Sequence, residues 1–286
     1  MIRLSAFADE ASASLFEQIE ELKKHNIGLV ELRSIDGKNV SAFTLDEAGE
    51  YAKAFKSAGI DVWSIGSPIG KIALDSKDAH LAAAKHVFEI AKIFGTKRIR
   101  MFSYYEAAGR GEDVISALRE LAELAKEYGV ILCHENEKGI YGDITDRVEE
   151  ILRADIDGLR FVFDPANYIQ CGVTVEDAIK RLYDTTDYFH IKDVIRKTGE
   201  LVPAGDGDGF IEGIINMITE SGRDTVMSVE PHLRVFSGSS ATGDREITDK
   251  YIYSSNRESF AAAVNGLKAM LTKCGYRETP SGWVHE

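Results

Sequence analysis

The chain of 286 residues is expected to fold as one α/β domain, a (β/α)8 TIM barrel, and three observations predict it. Short β-rich runs alternate with amphipathic helical stretches, eight such pairs can be counted, and no linker or low-complexity stretch divides them. This alternation implies a parallel sheet covered by helices. Eight pairs in roughly 250 residues match the size of a closed barrel, whereas a doubly wound open sheet more often has fewer strands and a glycine-rich first turn. No G-x-G-x-x-G or G-x-x-x-x-G-K-[ST] sequence occurs.

In order, strands are expected at residues 3–8, 28–33, 61–65, 98–103, 130–135, 160–164, 188–192 and 225–230, each followed by polar or glycine-containing sequence. The helices between them repeat apolar residues every three or four positions, as in Leu15, Ile19 and Leu22 or Leu81, Ala84, Val87, Phe88 and Ala91. Several should close at Gly59, Gly95 and Gly129, because a residue tolerant of positive φ ends a helix readily. The even rhythm breaks at residues 233–256, a long polar loop carrying Ser237, Gly238, Ser239 and Ser240 near its start and Tyr251 and Tyr253 near its end. Loops of this length are usually functional or disordered. The two tyrosines favour a lid over the barrel mouth or a contact with a second copy, which allows a homo-oligomer.

Charge narrows the partners. A net charge of -13 with no local basic patch disfavours nucleic acid and anionic membrane surfaces. The three cysteines, Cys133, Cys171 and Cys274, lie far apart with no C-x-x-C spacing and read as inert thiols. No segment approaches the ~20 apolar residues of a membrane helix, and the N-terminus lacks a basic start followed by an apolar run. The expected location is the cytoplasm.

Catalytic residues of such barrels gather at the C-terminal ends of the strands. There the fifth strand ends in Glu135, the sixth in Asp164, the seventh in His190 and the eighth in Glu230. Taken singly, a carboxylate at a strand end more often caps a helix or pairs with a cation. Four consecutive strands bringing three carboxylates and an imidazole to one height are different, since uncompensated like charges would force protonation. A divalent cation resolves the conflict; Mn²⁺ is the leading expectation, with Mg²⁺, Co²⁺ and Zn²⁺ open, because oxygen-rich ligation with one imidazole suits them all.

On these residues the chain resembles the xylose-isomerase-like TIM barrels, in particular the sugar phosphate isomerase/epimerase family related to ketose 3-epimerases and inosose dehydratases. The resemblance runs from the first strand to the last helix and implies Glu135, Asp164, His190 and Glu230 as metal ligands. It further implies substrate contacts at Asn167, three residues after Asp164, and at Arg196, six after His190. Tyr141 stands where the epimerases carry a second glutamate, so a different set of substrate contacts is expected around it. The run Phe189-His190-Ile191-Lys192-Asp193-Val194 looks more like the dehydratase branch.

Other residues carry two readings each. Lys192 is either a catalytic acid or a counter-ion for the acidic cluster, and His232 either meets substrate or lies on the surface. Arg33 either reaches substrate or pairs with Glu31 inside the barrel. His134, one residue from Glu135, should face away and pack as a hydrogen-bonded histidine beneath a helix. Trp63, Tyr104 and Tyr105 either wall a sugar site or belong to the core. The Gly205-Asp206-Gly207-Asp208-Gly209 turn reads as a helix-opening turn, because its aspartates oppose an anion cradle.

The resulting expectation is a metal-dependent isomerase or epimerase of a keto-sugar or related polyol ketone. Proton abstraction beside the carbonyl, through an enediolate, would be shared by Glu135 and Glu230. The alternative is a metal-dependent dehydratase or lyase that eliminates a β-leaving group from a keto-inositol or keto-glycoside, with Lys192 or His232 as acid. Abasic-site cleavage on an endonuclease IV-like barrel fits poorly, since that chemistry needs three zinc ions and more histidines than the seven present. A non-catalytic binding protein is the remaining class.

Overall fold

The computed structural model describes residues 1–235 and 249–286. Eight parallel strands form the barrel wall: β1 (Ile2–Ala6), β2 (Leu29–Leu32), β3 (Asp61–Gly66), β4 (Arg98–Met101), β5 (Ile131–Glu135), β6 (Leu159–Phe163), β7 (Thr186–Ile191) and β8 (Thr225–Val229). The ladder runs β2, β3, β4, β5, β6, β7, β8, β1, and all these pairs are parallel. At the seam β1 and β2 come alongside each other without a ladder. The expected strands therefore match the observed ones within a few residues at each end.

A C-terminal hairpin, β9 (Tyr276–Thr279) and β10 (Gly282–His285), extends the sheet from β1 through the antiparallel partners Ile2 and Trp283. The helices are α1 (Leu15–Lys24), α2 (Leu45–Ala58), α3 (Lys77–Phe94), α4 (Gly111–Tyr128), α5 (Thr145–Arg153), α6 (Pro165–Gln170), α7 (Val175–Leu182), α8 (Ile211–Ser221) and α9 (Asn256–Lys273). α2, α3 and α4 close at Gly59, Gly95 and Gly129, with φ of 74°, 72° and 68°. Among the described residues no helix is long and apolar enough to cross a membrane.

The main core lies between wall and helices, where Phe88, Leu118, Ile214 and Leu267 are wholly buried. A second, smaller core fills the barrel interior with Leu29, Cys133, Val162, Tyr188 and Val226, one from each of five strands. Side chains on a strand alternate, so residues two positions further on also point inward, one layer nearer the C-terminal mouth. Those residues are Glu31, Glu135, Asp164, His190 and Ser228, and Glu230 follows one step beyond. The interior thus changes from apolar to ionisable within a single layer.

The loop expected at 233–256 lies largely outside the described residues, since 236–248 are not among them. Its two ends are tied together by parallel pairing of Arg234–Val235 with Ile252–Tyr253. Tyr251 is buried and Tyr253 is packed against the main core.

Candidate metal centre

Strand ends bring Glu135, Asp164, His190 and Glu230 into one buried group, with one ligand atom from each lying within 4.8 Å of all the others. His190 Nδ1 is 3.0 Å from Glu135 Oε1 and 3.8 Å from Glu230 Oε2. Lys192 Nζ stands between two of the acids, 3.0 Å from Asp164 Oδ2 and 3.1 Å from Glu230 Oε2. Arg100 Nε approaches Glu135 Oε2 at 3.3 Å, with its guanidinium over the ring of Phe102.

Asp164 combines the two readings open to a strand-end acid. Its Oδ1 accepts a hydrogen bond from the Asn167 amide at 2.9 Å and so caps α6, whose first residue is Pro165. Its Oδ2 is buried and, although near Lys192, has no aligned hydrogen-bond donor. An acceptor left without a hydrogen bond in an acidic cluster is costly unless a cation completes it. Three carboxylates and one imidazole converging at this point have the donor set of a divalent-cation site.

The ionisation pattern follows from burial and neighbours. Burial alone would raise Glu135, but His190 and Arg100 outweigh it and hold it down at about 2. Glu230, also buried, is held well below its ordinary value by Lys192, His232, His190 and Arg33. Asp164 is raised to about 6, by burial first; Lys192 opposes the rise, while Glu135 and Glu230 add to it. Burial would lower His190, yet Glu135 and Glu31 carry it well above its ordinary value. Lys192, despite burial, is raised by Asp164 and Glu230 and remains charged.

The remaining expected contacts are placed unevenly. Asn167 is buried behind the cluster and donates to Glu135 Oε1 at 3.2 Å and to the Asn136 carbonyl at 2.9 Å, so it braces an acid. Arg33 reaches the mouth but pairs with Asp9 at 2.8 Å, Glu10 at 3.0 Å and Glu230 at 3.3 Å, and not with Glu31. Glu31 turns instead to His190 Nε2 at 3.1 Å. His232 stands at the rim, its Nδ1 3.0 Å from Glu10 and 3.7 Å from Glu230.

Arg196 is exposed, with its guanidinium on the Val173 carbonyl, and the Tyr141 hydroxyl donates to Glu150 on α5; neither touches the cluster in these contacts. Trp63 lies in the lower interior between Arg98 and Arg3, away from the mouth, while Tyr104 is buried.

One expectation needs correction, and another, the helix-opening turn before α8, is met with an addition. His134 is buried as expected and stacks on Phe161, but both ring nitrogens lack hydrogen-bond partners; the nearby Ser103 hydroxyl is engaged instead by the Gly142 amide at 2.8 Å. The Gly205 to Gly209 turn does hold an anion with its amides. That anion is the chain's own Asp193 carboxylate, which accepts from Gly205 at 2.9 Å, Gly207 at 3.2 Å and Gly209 at 2.8 Å. A Cβ at Gly207 would meet Asp193 Oδ1 at 2.3 Å, so the cradle admits only glycine there.

Sequence reasoning passed over Arg100 and Asn136. A basic residue in the middle of a strand with both flanks buried was the available signal for Arg100. Asn136 exchanges two 2.9 Å hydrogen bonds with the Asp164 backbone, a link between adjacent strand ends that no local pattern announces.

A parallel barrel whose strand ends gather an acidic, histidine-containing cluster able to hold a metal ion places the chain among the TIM-barrel proteins with a site at the strand ends. A family model for the xylose isomerase-like TIM barrel matches residues 19–250, and the chain belongs to that family. No curated protein matches the chain. Solved structures share the fold at low identity. A D-psicose 3-epimerase structure in the presence of D-fructose aligns with TM-score 0.71 and 17% identity over 96% of this chain and 99% of that one. The IOLI protein with a binding zinc atom aligns with TM-score 0.71 and 18% identity, over 95% and 98%. The probable 3-DHS dehydratase AsbF of Bacillus anthracis, involved in petrobactin synthesis, aligns with TM-score 0.66 and 16% identity, over 80% and 92%.

Proposed function

We propose that the chain, read as one barrel domain, is a divalent-metal-dependent isomerase or epimerase of a keto-sugar or related polyol ketone. The observation that carries this reading is that two glutamates held ionised, Glu135 and Glu230, lie 3.0 Å and 3.8 Å from the same His190 Nδ1, so that both border one site. Glu135, Asp164, His190 and Glu230 would hold the cation, with Mn²⁺ the leading candidate. When bound, such a cation polarises a substrate carbonyl and acidifies the adjoining C–H.

The chain's own groups supply the rest. One glutamate abstracts the proton beside the carbonyl and the other returns a proton to the opposite face of the substrate's enediolate form. Arg100 and Asn167 keep Glu135 ionised and oriented. Lys192 offers a charged donor to a substrate oxygen, and the buried Phe7 ring packs edge-on against His190 at 5.2 Å and helps fix the imidazole. The D-psicose 3-epimerase and the zinc-bearing IOLI protein that share the fold are consistent with this chemistry.

Lys192 also supports a second reading, elimination of a β-oxygen leaving group, because a buried ammonium can protonate a departing oxygen. Incubation of candidate ketoses in D₂O separates the two. An inverted product carrying deuterium at one carbon supports epimerisation, and an unsaturated carbonyl absorbing in the ultraviolet supports elimination. Neither product from a panel of keto-sugars and keto-polyols would remove both.

A further inference from the structure

Glu31 takes no part in the proton transfers above, yet it is wholly buried in the barrel interior, in the same inward layer as Glu135 and His190. Its Oε2 lies 3.1 Å from His190 Nε2, and its Oε1 accepts a 2.8 Å hydrogen bond from the Tyr188 hydroxyl. That hydroxyl also lies 3.4 Å from Ser64 Oγ. The His190 ring is held edge-on by Phe7 at 5.2 Å and by Tyr188 at 5.6 Å. Glu31 on β2 and His190 on β7 meet across the barrel, 159 residues apart in sequence.

A neutral imidazole has one N–H and one lone pair, whereas a carboxylate can only accept. Carboxylates flank both ring nitrogens, Glu31 at Nε2 and Glu135 at Nδ1, but only the Nδ1 side is shared by Glu135 and Glu230; a cation held there takes the Nδ1 lone pair, and the one remaining hydrogen is donated from Nε2 to Glu31. Arg33, two residues along β2, does not compete for Glu31 because it is engaged by Asp9, Glu10 and Glu230. We propose that Glu31 is a positioning residue that sets the tautomer and orientation of His190, so that Nδ1 presents its lone pair toward the cation site. This rests on the metal reading above. Glu31 also places a negative charge behind the ring, which makes the imidazole a stronger donor to a metal.

The test uses Zn²⁺ alone as a diamagnetic probe. Metal-stripped wild type, Glu31→Gln, Glu31→Ala and the control Glu135→Gln are titrated calorimetrically, and Zn²⁺-loaded protein with ¹⁵N-labelled histidine is observed by NMR. Wild type should bind one Zn²⁺, with Glu31→Gln ~10-fold and Glu31→Ala up to ~100-fold weaker, the usual effect of removing such a partner. The low-field Nε2–H resonance of His190 should move upfield in Glu31→Gln, a response that a purely structural role for Glu31 would not produce. Unchanged Zn²⁺ affinity and an unchanged Nε2–H signal in the Glu31 variants, with Glu135→Gln still impaired, overturn this inference alone. Absence of Zn²⁺ binding by wild type overturns both it and the metal reading. If Glu31→Ala does not fold, the near-isosteric Glu31→Gln decides.

Discussion

Lys192 and Asp164 are joined by a buried contact of 3.0 Å between Nζ and Oδ2, placing a permanent positive charge among the acids at the barrel mouth. The same ammonium is 3.1 Å from Glu230, so its single charge is shared between two of the four groups that converge there. Its neighbour Asp193 is locked by the amides of the Gly205 to Gly209 turn, which anchors the chain just past β7.

Replacing Lys192 by Met leaves Asp164 and Glu230 without their shared cation. Breaking a buried ion pair in this way typically costs ~3–5 kcal/mol. The metal-free variant should melt well below wild type, and saturating Mn²⁺ should raise its melting temperature by more than it raises that of wild type. An equal metal-induced rise in both proteins would show that Lys192 does not share the cation's surroundings.

Metal should bind at about one ion per chain, and chelation should lower the melting temperature, because a ligand held only by the folded state stabilises it. Binding must also depend on pH. His190 is held protonated well above its ordinary value by Glu135 and Glu31 against the effect of burial, and a metal ligand must be deprotonated. Affinity should therefore weaken by about tenfold per pH unit as pH falls through the range in which His190 carries its proton. Calorimetry in buffers of different ionisation heats measures the protons released, and a value of zero at pH 6 would contradict the assignment.

The two glutamates can be separated by Glu135→Gln and Glu230→Gln. Each should lower overall turnover at least ~100-fold, the scale of a lost acid or base. A variant that keeps the abstracting glutamate should still exchange substrate hydrogen with solvent from one epimer only. Simple metal loss would abolish exchange from both epimers together. Near-normal inversion by either variant would refute the two-base mechanism.

His134 gives the metal-free protein an acid sensitivity of definite sign. Burial lowers its pKa to about 4, so between the ordinary 6.5 and about 4 the unfolded chain binds a proton that the folded chain refuses. Stability from this group is therefore retained above 6.5 and lost as pH falls toward 4, by on the order of 3 kcal/mol. Asp164, raised to about 6, acts in the opposite direction, so the contribution of His134 shows as a difference between wild type and a His134 variant. The denaturant midpoint of wild type should fall relative to that of His134→Gln as pH drops from 6.5 to 4; a constant difference would remove the claim.

The rhythm of eight strand and helix pairs and the four groups at successive strand ends were legible in the sequence. Both depend on local periodicity and on chain direction, which alternate pointing along each strand converts into a common height at one mouth. Glycine ends at Gly59, Gly95 and Gly129 were legible for the same local reason. Partners across the barrel were not. Glu31 lies two residues from Arg33 and appeared to belong to it, but Glu31 sits one layer lower, where it reaches His190 and Tyr188, while Arg33 reaches the acids of the rim. Asn167 and Arg196, similar in motif position, end in different surroundings, one buried against Glu135 and one exposed beside Val173. Which side chains meet across the interior depends on the tilt and stagger of all eight strands, and closure of the whole sheet sets these.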